Sequence, residues 1–201
     1  MDDYSGELIP SSRGADVTDP YGSMAPVKRQ TYKRKGLPGE FNWASTDEGT
    51  KFYGKIGSPM AKFQTPLGHT VTAAPKAAPR FEGFLKDLDA RGYHAKDCDA
   101  LCIRQKRGGT SMSIHSWGAA MDVDPDVNPF QPGSSHPWTV FPENVEALAW
   151  KWGLSWGARF GDTMHFEAGS PQWWKGRLTW LVSKNYMAQA QMDEIVKQYG
   201  L

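Results

Sequence analysis

Two short stretches of this chain contain histidines and acidic residues at spacings that could place their side chains around one metal ion. The first, SMSIHSWGAAMDVD at residues 111–124, holds His115 seven residues before Asp122. On one helix, seven residues would separate the two side chains by about 10 Å, which is too far for one ion. Gly118 lies between them, however, and a turn at this glycine would bring the histidine back beside the aspartate. Two ligands of a transition metal would then converge.

The second stretch, TMHFE at residues 163–167, supplies a third candidate ligand. Its alternation predicts a strand with one apolar face and one polar face, and the polar face carries His165 and Glu167. Two histidines, one aspartate and an open position are a set that suits a catalytic zinc ion, whose fourth ligand is water. Asp162, three residues before His165, is a carboxylate that could reach such a water.

Two other sets of ligating residues compete with this interpretation. Asp124 lies about 6.6 Å beyond Asp122 along the predicted strand, so we do not expect both to bind one ion directly. His94, Cys98 and Cys102 recur every four residues and would share one face of a helix, but a fourth ligand is missing. We therefore expect the two cysteines to be small buried thiols rather than metal ligands.

The surrounding segments predict short strands mixed with helices. AAMDVD at residues 119–124 alternates as TMHFE does, and the apolar run DALCIR at residues 99–104 also predicts a strand. Apolar residues spaced by three and four predict helices, and glycines mark two of their ends. These helices are predicted at 76–91, 142–153 and 185–200, with a loop over 125–137. Because regular β–α–β units are missing, the pattern predicts an α+β fold with a small antiparallel or mixed sheet and flanking helices.

The chain changes character near Ser58. Residues 1–57 are rich in glycine, proline, serine and charge and show no regular period, so we expect an irregular N-terminal arm followed by one domain over residues 58–201. A basic cluster at residues 28–35 allows three interpretations: a solvated flexible arm, a docking segment for a protein partner, or a nucleic-acid contact. The cluster is short and has acidic neighbours, which argues against the last.

Composition narrows the class of protein. The chain has 201 residues and a formal net charge of +1, so no global field draws it to nucleic acid or to a membrane surface. No apolar run approaches the length of about 18 residues that a membrane span needs, so we expect no membrane insertion. The N-terminus lacks the apolar region of a secretory signal, so we expect synthesis in a host cytoplasm. Two cysteines do not make a disulfide framework.

SIHSWGAAMDVD followed by WGLSWGARFGDTMHFE resembles the M15 zinc peptidases, which include D-Ala-D-Ala carboxypeptidases and phage L-alanyl-D-glutamate endopeptidases. The family pattern is Ser-x-His, six residues and Asp, followed later by an acid three residues before a second His. Those positions hold Ser113, His115, Asp122, Asp162 and His165. The resemblance spans roughly residues 59–174. It implies the hedgehog/DD-peptidase fold and one zinc ion per chain, bound by the two histidines and Asp122.

The resemblance also implies how such a site works. Zinc lowers the pKa of bound water to about 7, and Asp162 would accept the proton of that water. An upstream arginine would stabilise the oxyanion that forms when water attacks the peptide. Arg104 and Arg107 are the candidates. We favour Arg104, because it ends the predicted strand whereas Arg107 adjoins two glycines.

Two further polar residues are placed beside the implied ligands. Ser113 shares a face with His115 and could bind substrate or orient a ligand. Glu167 shares a face with His165 and could orient that histidine, or it could be a surface carboxylate.

The implied function is hydrolysis of peptidoglycan stem peptides, at the L-Ala–D-Glu bond because the ending with Asp162 resembles the phage endolysin branch. A D,D-carboxypeptidase and a non-catalytic zinc-containing wall-binding or virion protein are the alternatives, and Asp162 argues against the last. The enzyme would act on the bacterial wall, either released as an endolysin or carried on a phage particle. We favour the particle, with residues 1–57 contacting phage structural proteins and dispensable for chemistry.

Overall fold

The structure, a computed structural model, describes residues 21–31, 47–142, 144–185 and 187–199. The strands in these residues are β1 (Gln30–Thr31), β2 (Ala61–Gln64), β3 (Thr70–Ala73), β4 (Cys98–Asp99), β5 (Ala120–Val123), β6 (Trp138–Thr139), β7 (Leu154–Trp156) and β8 (His165–Ala168). The helices are α1 (Asp47–Tyr53), α2 (Ala78–Ala90), α3 (Val145–Lys151), α4 (Pro171–Ser183) and α5 (Gln189–Tyr199). Two 3-10 turns precede the central strands, Ile114–Trp117 before β5 and Gly157–Phe160 before β8.

A four-stranded antiparallel sheet in the order β4-β5-β8-β7 positions the candidate site. Its two inner strands, β5 and β8, are those that the alternating motifs predict, and Met121 of β5 lies opposite Phe166 of β8. Both side chains are completely buried, because the apolar face of each strand packs into the core. The predicted α+β fold is confirmed, and the polar faces of β5 and β8 lie side by side.

Helix α2 packs against this apolar face. The ring of Phe84 lies 4.7 Å from that of Phe166. The other apolar residues spaced by three and four along the helix, Phe81, Leu85 and Leu88, are completely buried. Burying each such side chain stabilises the fold by about 1.5–3 kcal/mol. The chain leaves the helix through Gly92, whose φ of +97° favours glycine. The predicted helix is therefore confirmed, with its ends shifted by one or two residues.

The strand predicted over residues 99–104 is wrong in its extent, because β4 covers only two residues. The chain then leaves the sheet, and the N–H of Cys102 donates to the carbonyl of His115 at 3.2 Å. The following residues run antiparallel to the segment that leads into the first 3-10 turn, with Gln105 opposite Met112. A short apolar run in the sequence does not identify the segment with which it pairs. Here contacts between distant residues determine that pairing.

Several elements carry no clear signal in the sequence. A hairpin of β2 and β3 precedes α2, and α4 lies between the sheet and the predicted terminal helix, which is α5. Helices α4 and α5 pack around Trp150 and form a second apolar cluster, separate from the core on the sheet. Its buried members are Trp150, Trp174, Leu178, Leu181, Met187 and Ile195.

Both described parts of the predicted N-terminal arm contact the rest of the chain. Met24 is completely buried, and its N–H donates to the carbonyl of Arg91 at 2.9 Å. Strand β1 pairs with β6, and the Tyr53 hydroxyl at the end of α1 donates to the carbonyl of Ala168 in β8 at 2.7 Å. Residues 21–31 and 47–57 are thus attached to the domain at several points.

The remainder of that arm, with part of the basic cluster at 28–35, lies outside the described residues. The division of the chain after residue 57 therefore stays a prediction. Within the part of the chain that the structure describes, no helix has both the length and the apolar composition of a membrane span.

Candidate metal and active site

The first ligand segment, residues 113–124, reverses direction at Gly118, as its sequence predicts. The 3-10 turn ends there with φ +64°, a conformation that side-chain-bearing residues rarely adopt. The carbonyl of Gly118 accepts from the N–H of Ala74 at 2.9 Å, and a Cβ at Gly118 would lie 2.7 Å from that nitrogen. The glycine lets the turn pack closely on the chain after β3 and so returns His115 towards β5.

The second ligand segment, residues 154–168, contains β7, the second 3-10 turn and β8. A Cβ at Gly157 would lie 2.6 Å from the carbonyl oxygen of Asp162, so the chain closes tightly around this glycine. The N–H of Asp162 donates to the carbonyl of Gly157 at 3.1 Å. Pairing of β8 with β5 then sets His165 directly opposite Asp122 of the first ligand segment.

Three donor atoms from the two segments form a nearly equilateral triangle. His115 Nε2 lies 3.1 Å from His165 Nδ1 and 3.2 Å from Asp122 Oδ1, and the latter two atoms are 3.0 Å apart. A tetrahedral zinc ion with bonds of about 2.0–2.1 Å holds its ligand atoms about 3.3 Å apart. The triangle therefore resembles one face of such a tetrahedron. Among the described residues, these three form the group whose His, Cys, Asp or Glu atoms converge enough to hold a metal.

Each histidine has one ring nitrogen in the triangle and one outside it, and the contact of the outside nitrogen indicates that this nitrogen carries a hydrogen. His115 Nδ1 lies 2.8 Å from the carbonyl oxygen of Ala100, which can only accept, so Nδ1 carries the hydrogen. His165 Nε2 lies 3.2 Å from Glu167 Oε1 and donates to that carboxylate. Both inner nitrogens thus present lone pairs beside the oxygen of Asp122. These three electron-rich atoms would repel one another, so the arrangement fits a cation between them, either a metal ion or a proton on an inner nitrogen that donates to Asp122.

The pKa shifts of Asp122 and His165 show the same attraction of the triangle for a cation, here a proton. Burial raises the pKa of Asp122, but hydrogen bonds with His115 and His165 outweigh it and hold that pKa well below its ordinary value. Burial lowers the pKa of His165, but hydrogen bonds with Asp122 and Glu167 outweigh it and raise that pKa well above its ordinary value. The triangle attracts positive charge, and a metal ion would compete with a proton for it.

Asp162, the predicted general base, lies close enough to His165 for its negative charge to raise the pKa of that histidine. The backbone holds it there from two sides. The N–H of His165 donates to the carbonyl of Asp162 at 3.3 Å, and Phe130 forms an isolated antiparallel bridge with Asp162. The loop predicted over 125–137 therefore borders the candidate base.

The two candidate arginines precede the first ligand segment and adjoin different neighbours. Arg104 is anchored through its backbone, because its N–H donates to Ser116 Oγ at 3.1 Å and its carbonyl accepts from the N–H of buried Ser113 at 2.9 Å. Arg107 is exposed, and its guanidinium carbon lies 5.9 Å from the ring centre of Phe130. Arg104 thus adjoins the segment that carries His115, whereas Arg107 adjoins the loop beside the candidate base. The choice between them stays a prediction.

Glu167 is completely buried and is therefore not the surface carboxylate that its position in the sequence also allowed. Arg159 Nη2 lies 3.2 Å from Glu167 Oε2. Burial raises the pKa of Glu167, but the charge of Arg159 and the hydrogen bond with His165 outweigh it and lower the pKa to about 2. The sequence patterns do not predict this role of Arg159. One feature of the sequence could have indicated it: Arg159 is the lone arginine in an aromatic-rich run. An unpaired charge buried in such a run would be costly, so a buried acidic partner is expected.

The competing ligand sets do not assemble. Asp124 Oδ1 accepts two backbone N–H groups from the residues before β4, both at 2.8 Å, rather than facing the triangle. Cys98 and Cys102 are free, half-buried thiols, and His94 contacts Asp89 at 2.6 Å. Within the described ranges these residues form no metal-binding group.

Residues 107–168 match an M15 peptidase family model described as D-alanyl-D-alanine carboxypeptidase. The match covers less than a third of the chain but includes His115, Asp122, Asp162 and His165. Neither the curated proteins nor the solved structures yielded a match. The family match supports an M15 family peptidase and confirms the resemblance seen in the motifs.

Proposed function

Because the match to an M15 family peptidase encloses all three converging donors, we propose that this chain is a zinc-dependent hydrolase of peptidoglycan stem peptides. The triangle of His115, Asp122 and His165, with edges of 3.0–3.2 Å, carries the proposal. Two neutral imidazoles and one carboxylate are ligands that zinc accepts, and three protein ligands are the number found in catalytic sites. The family implies a peptidoglycan substrate.

A zinc ion held by this triangle would supply a Lewis acid and a water that ionises near neutral pH. Asp162 accepts a proton from the attacking water and returns it to the leaving amine, because one carboxylate can act first as base and then as acid. Arg104 donates to the oxyanion of the tetrahedral intermediate, and Arg107 is the alternative donor. Ser113 either contacts the substrate or orients the turn that carries His115.

We propose the L-Ala–D-Glu bond as the point of cleavage. Its support is the ending DTMHFE, in which the acid is Asp162, as in the phage endolysin branch that the motifs resemble. A D,D-carboxypeptidase is the second candidate, favoured by the description of the matched family model.

Digestion of purified peptidoglycan by the full zinc-loaded chain tests these proposals, with the products identified by mass spectrometry. Cleavage at L-Ala–D-Glu creates new amino termini on D-Glu, whereas a D,D-carboxypeptidase releases free D-Ala. The Asp162→Asn variant is the control for contaminating hydrolases. Binding to the wall without any new termini or free D-Ala would contradict both enzymatic proposals and favour a wall-binding or virion structural protein.

We further propose that the chain is made in a host cytoplasm and carried on a phage particle, with residues 1–57 providing attachment to phage structural proteins. The arm-like composition of these residues supports this over a freely released endolysin. Because Met24 and Tyr53 are buried within the chain, the attachment is assigned to other residues of that range. Mass spectrometry of purified particles should detect the chain. Its absence from particles, with release at lysis, would favour the endolysin.

A further inference from the structure

We propose that Arg159 and Glu167 form a buried positioning pair that sets the orientation of His165 for metal binding, an inference that rests on the proposed zinc site. One oxygen of Glu167, Oε2, meets Arg159 Nη2 at 3.2 Å, and the other, Oε1, meets His165 Nε2 at 3.2 Å. The carboxylate thus bridges the guanidinium and the imidazole. The side chains of Arg159 and Glu167 are each 1% exposed, so no water competes for these contacts.

Arg159 is itself held in place by its own segment. Its Nη1 donates to the carbonyl of Trp156 at 2.8 Å and to Ser155 Oγ at 2.5 Å. Ser155 lies directly opposite Glu167 in the pairing of β7 with β8. The guanidinium is therefore fixed to β7, the strand that pairs with the one carrying the bridging carboxylate, and its planar fork matches that geometry.

The consequence for His165 follows from what a carboxylate can do. An ionised carboxylate only accepts, so Nε2 keeps its hydrogen and donates it to Glu167. A metal ion that displaces the proton shared with Asp122 would then meet the lone pair of Nδ1. A carboxylate behind a ligating histidine both orients the ring and makes it a better ligand. Arg159 keeps the carboxylate in that position although it is not itself a ligand. It is a positioning residue for the proposed metal site.

The first test is the zinc affinity of the full chain, measured by competition with a chelator. Arg159→Met and Glu167→Gln should each weaken zinc binding about 10–100-fold, the usual cost of losing such an outer contact. Arg159→Lys should restore part of the affinity, because it keeps the charge without the fork. Arg80→Met is the matched control. Arg80 is similarly buried but donates to the carbonyl of Gly169 just beyond β8, and its loss should leave zinc affinity unchanged.

The second test needs no substitution, so it holds even if a variant fails to fold. Nitrogen-15 NMR of the zinc-loaded wild-type chain should show His165 with hydrogen on Nε2 and zinc on Nδ1. The opposite assignment would overturn the positioning role. So would folded Arg159→Met and Glu167→Gln variants that bind zinc as tightly as the wild type.

These experiments distinguish a failure of the positioning pair from a failure of the proposed zinc site. Unchanged affinity in these variants, while His115→Ala loses zinc, would contradict the positioning pair and leave the zinc site intact. A wild-type chain that binds no zinc would contradict both.

Discussion

The two ligand segments hold their histidines by different means. In the first, the backbone orients His115, because Nδ1 donates to the carbonyl of Ala100 at 2.8 Å and the His115 carbonyl accepts from the N–H of Cys102 at 3.2 Å. In the second, side chains orient His165, because its Nε2 meets the buried Glu167, which pairs with Arg159.

This difference shows where each half of the site is sensitive to substitution. Backbone groups are the same in every residue, so the first segment depends on the path of the chain and on the glycine that permits it. The second depends on two buried charged side chains, Arg159 and Glu167, whose geometry other side chains reproduce only in part. Substitutions should therefore weaken the first half through strain and the second through lost orientation.

The largest effect should come from removing either histidine. His115→Ala and His165→Ala should each lose the single zinc ion per chain, because two protein ligands do not complete the set of three found in catalytic sites. Metal analysis of the dialysed full-length variants measures this. His94→Ala, which removes a histidine outside the triangle, is the control and should keep zinc. Full zinc retention in both test variants would refute the site, and retention in one would show that the two segments contribute unequally.

The two acids of the site should separate chemistry from metal binding. Asp162→Asn should keep zinc and lower turnover about 100-fold or more, because that is the cost of losing a general base. Asp122→Asn should instead weaken zinc binding, since a neutral amide replaces the ligating carboxylate. The substitutions are equal in size, so each controls for the other. Full activity of Asp162→Asn on purified peptidoglycan would mean that the base lies elsewhere.

The arginine predicted to serve the oxyanion adjoins the first segment. Arg104→Ala should lower kcat about 10²–10³-fold, as expected for the loss of one oxyanion donor, with zinc content unchanged. Arg107→Ala should have a much smaller effect. Steady-state kinetics on a soluble stem peptide compare the two. The reverse ranking would move the role to Arg107, beside Phe130 and the loop that borders the second segment.

The smallest effect should be the strain introduced into the first segment. Gly118→Ala should lower the free energy of unfolding by about 1–3 kcal/mol, because a side chain is disfavoured at this φ and its Cβ would crowd Ala74. Equilibrium unfolding in urea measures the change. Gly108→Ala is the control, since its φ is +73° but nothing lies within 4 Å of a Cβ there, so its loss should be smaller. Equal losses would show that the contact with Ala74 adds no constraint.

Much of the site is predictable because its ligands lie in two short, regular motifs. The alternation in AAMDVD and TMHFE predicts β5 and β8, and Gly118 predicts the turn that returns His115 to Asp122. The apolar run at 99–104 predicts too long a strand, and the hairpin of β2 and β3 carries no clear signal. Those elements depend on partners far along the chain, which a local pattern does not identify.

Residue types and spacing alone therefore specify which atoms are available to bind a metal and which short segments carry them. Tertiary structure decides how they are used. Asp122 contributes one oxygen to the triangle, whereas Asp124 accepts backbone N–H groups. Arg159 becomes the partner of Glu167. Periodicity and turn chemistry act over a few residues, whereas strand register, burial and the pairing of buried charges arise from contacts between residues distant in sequence.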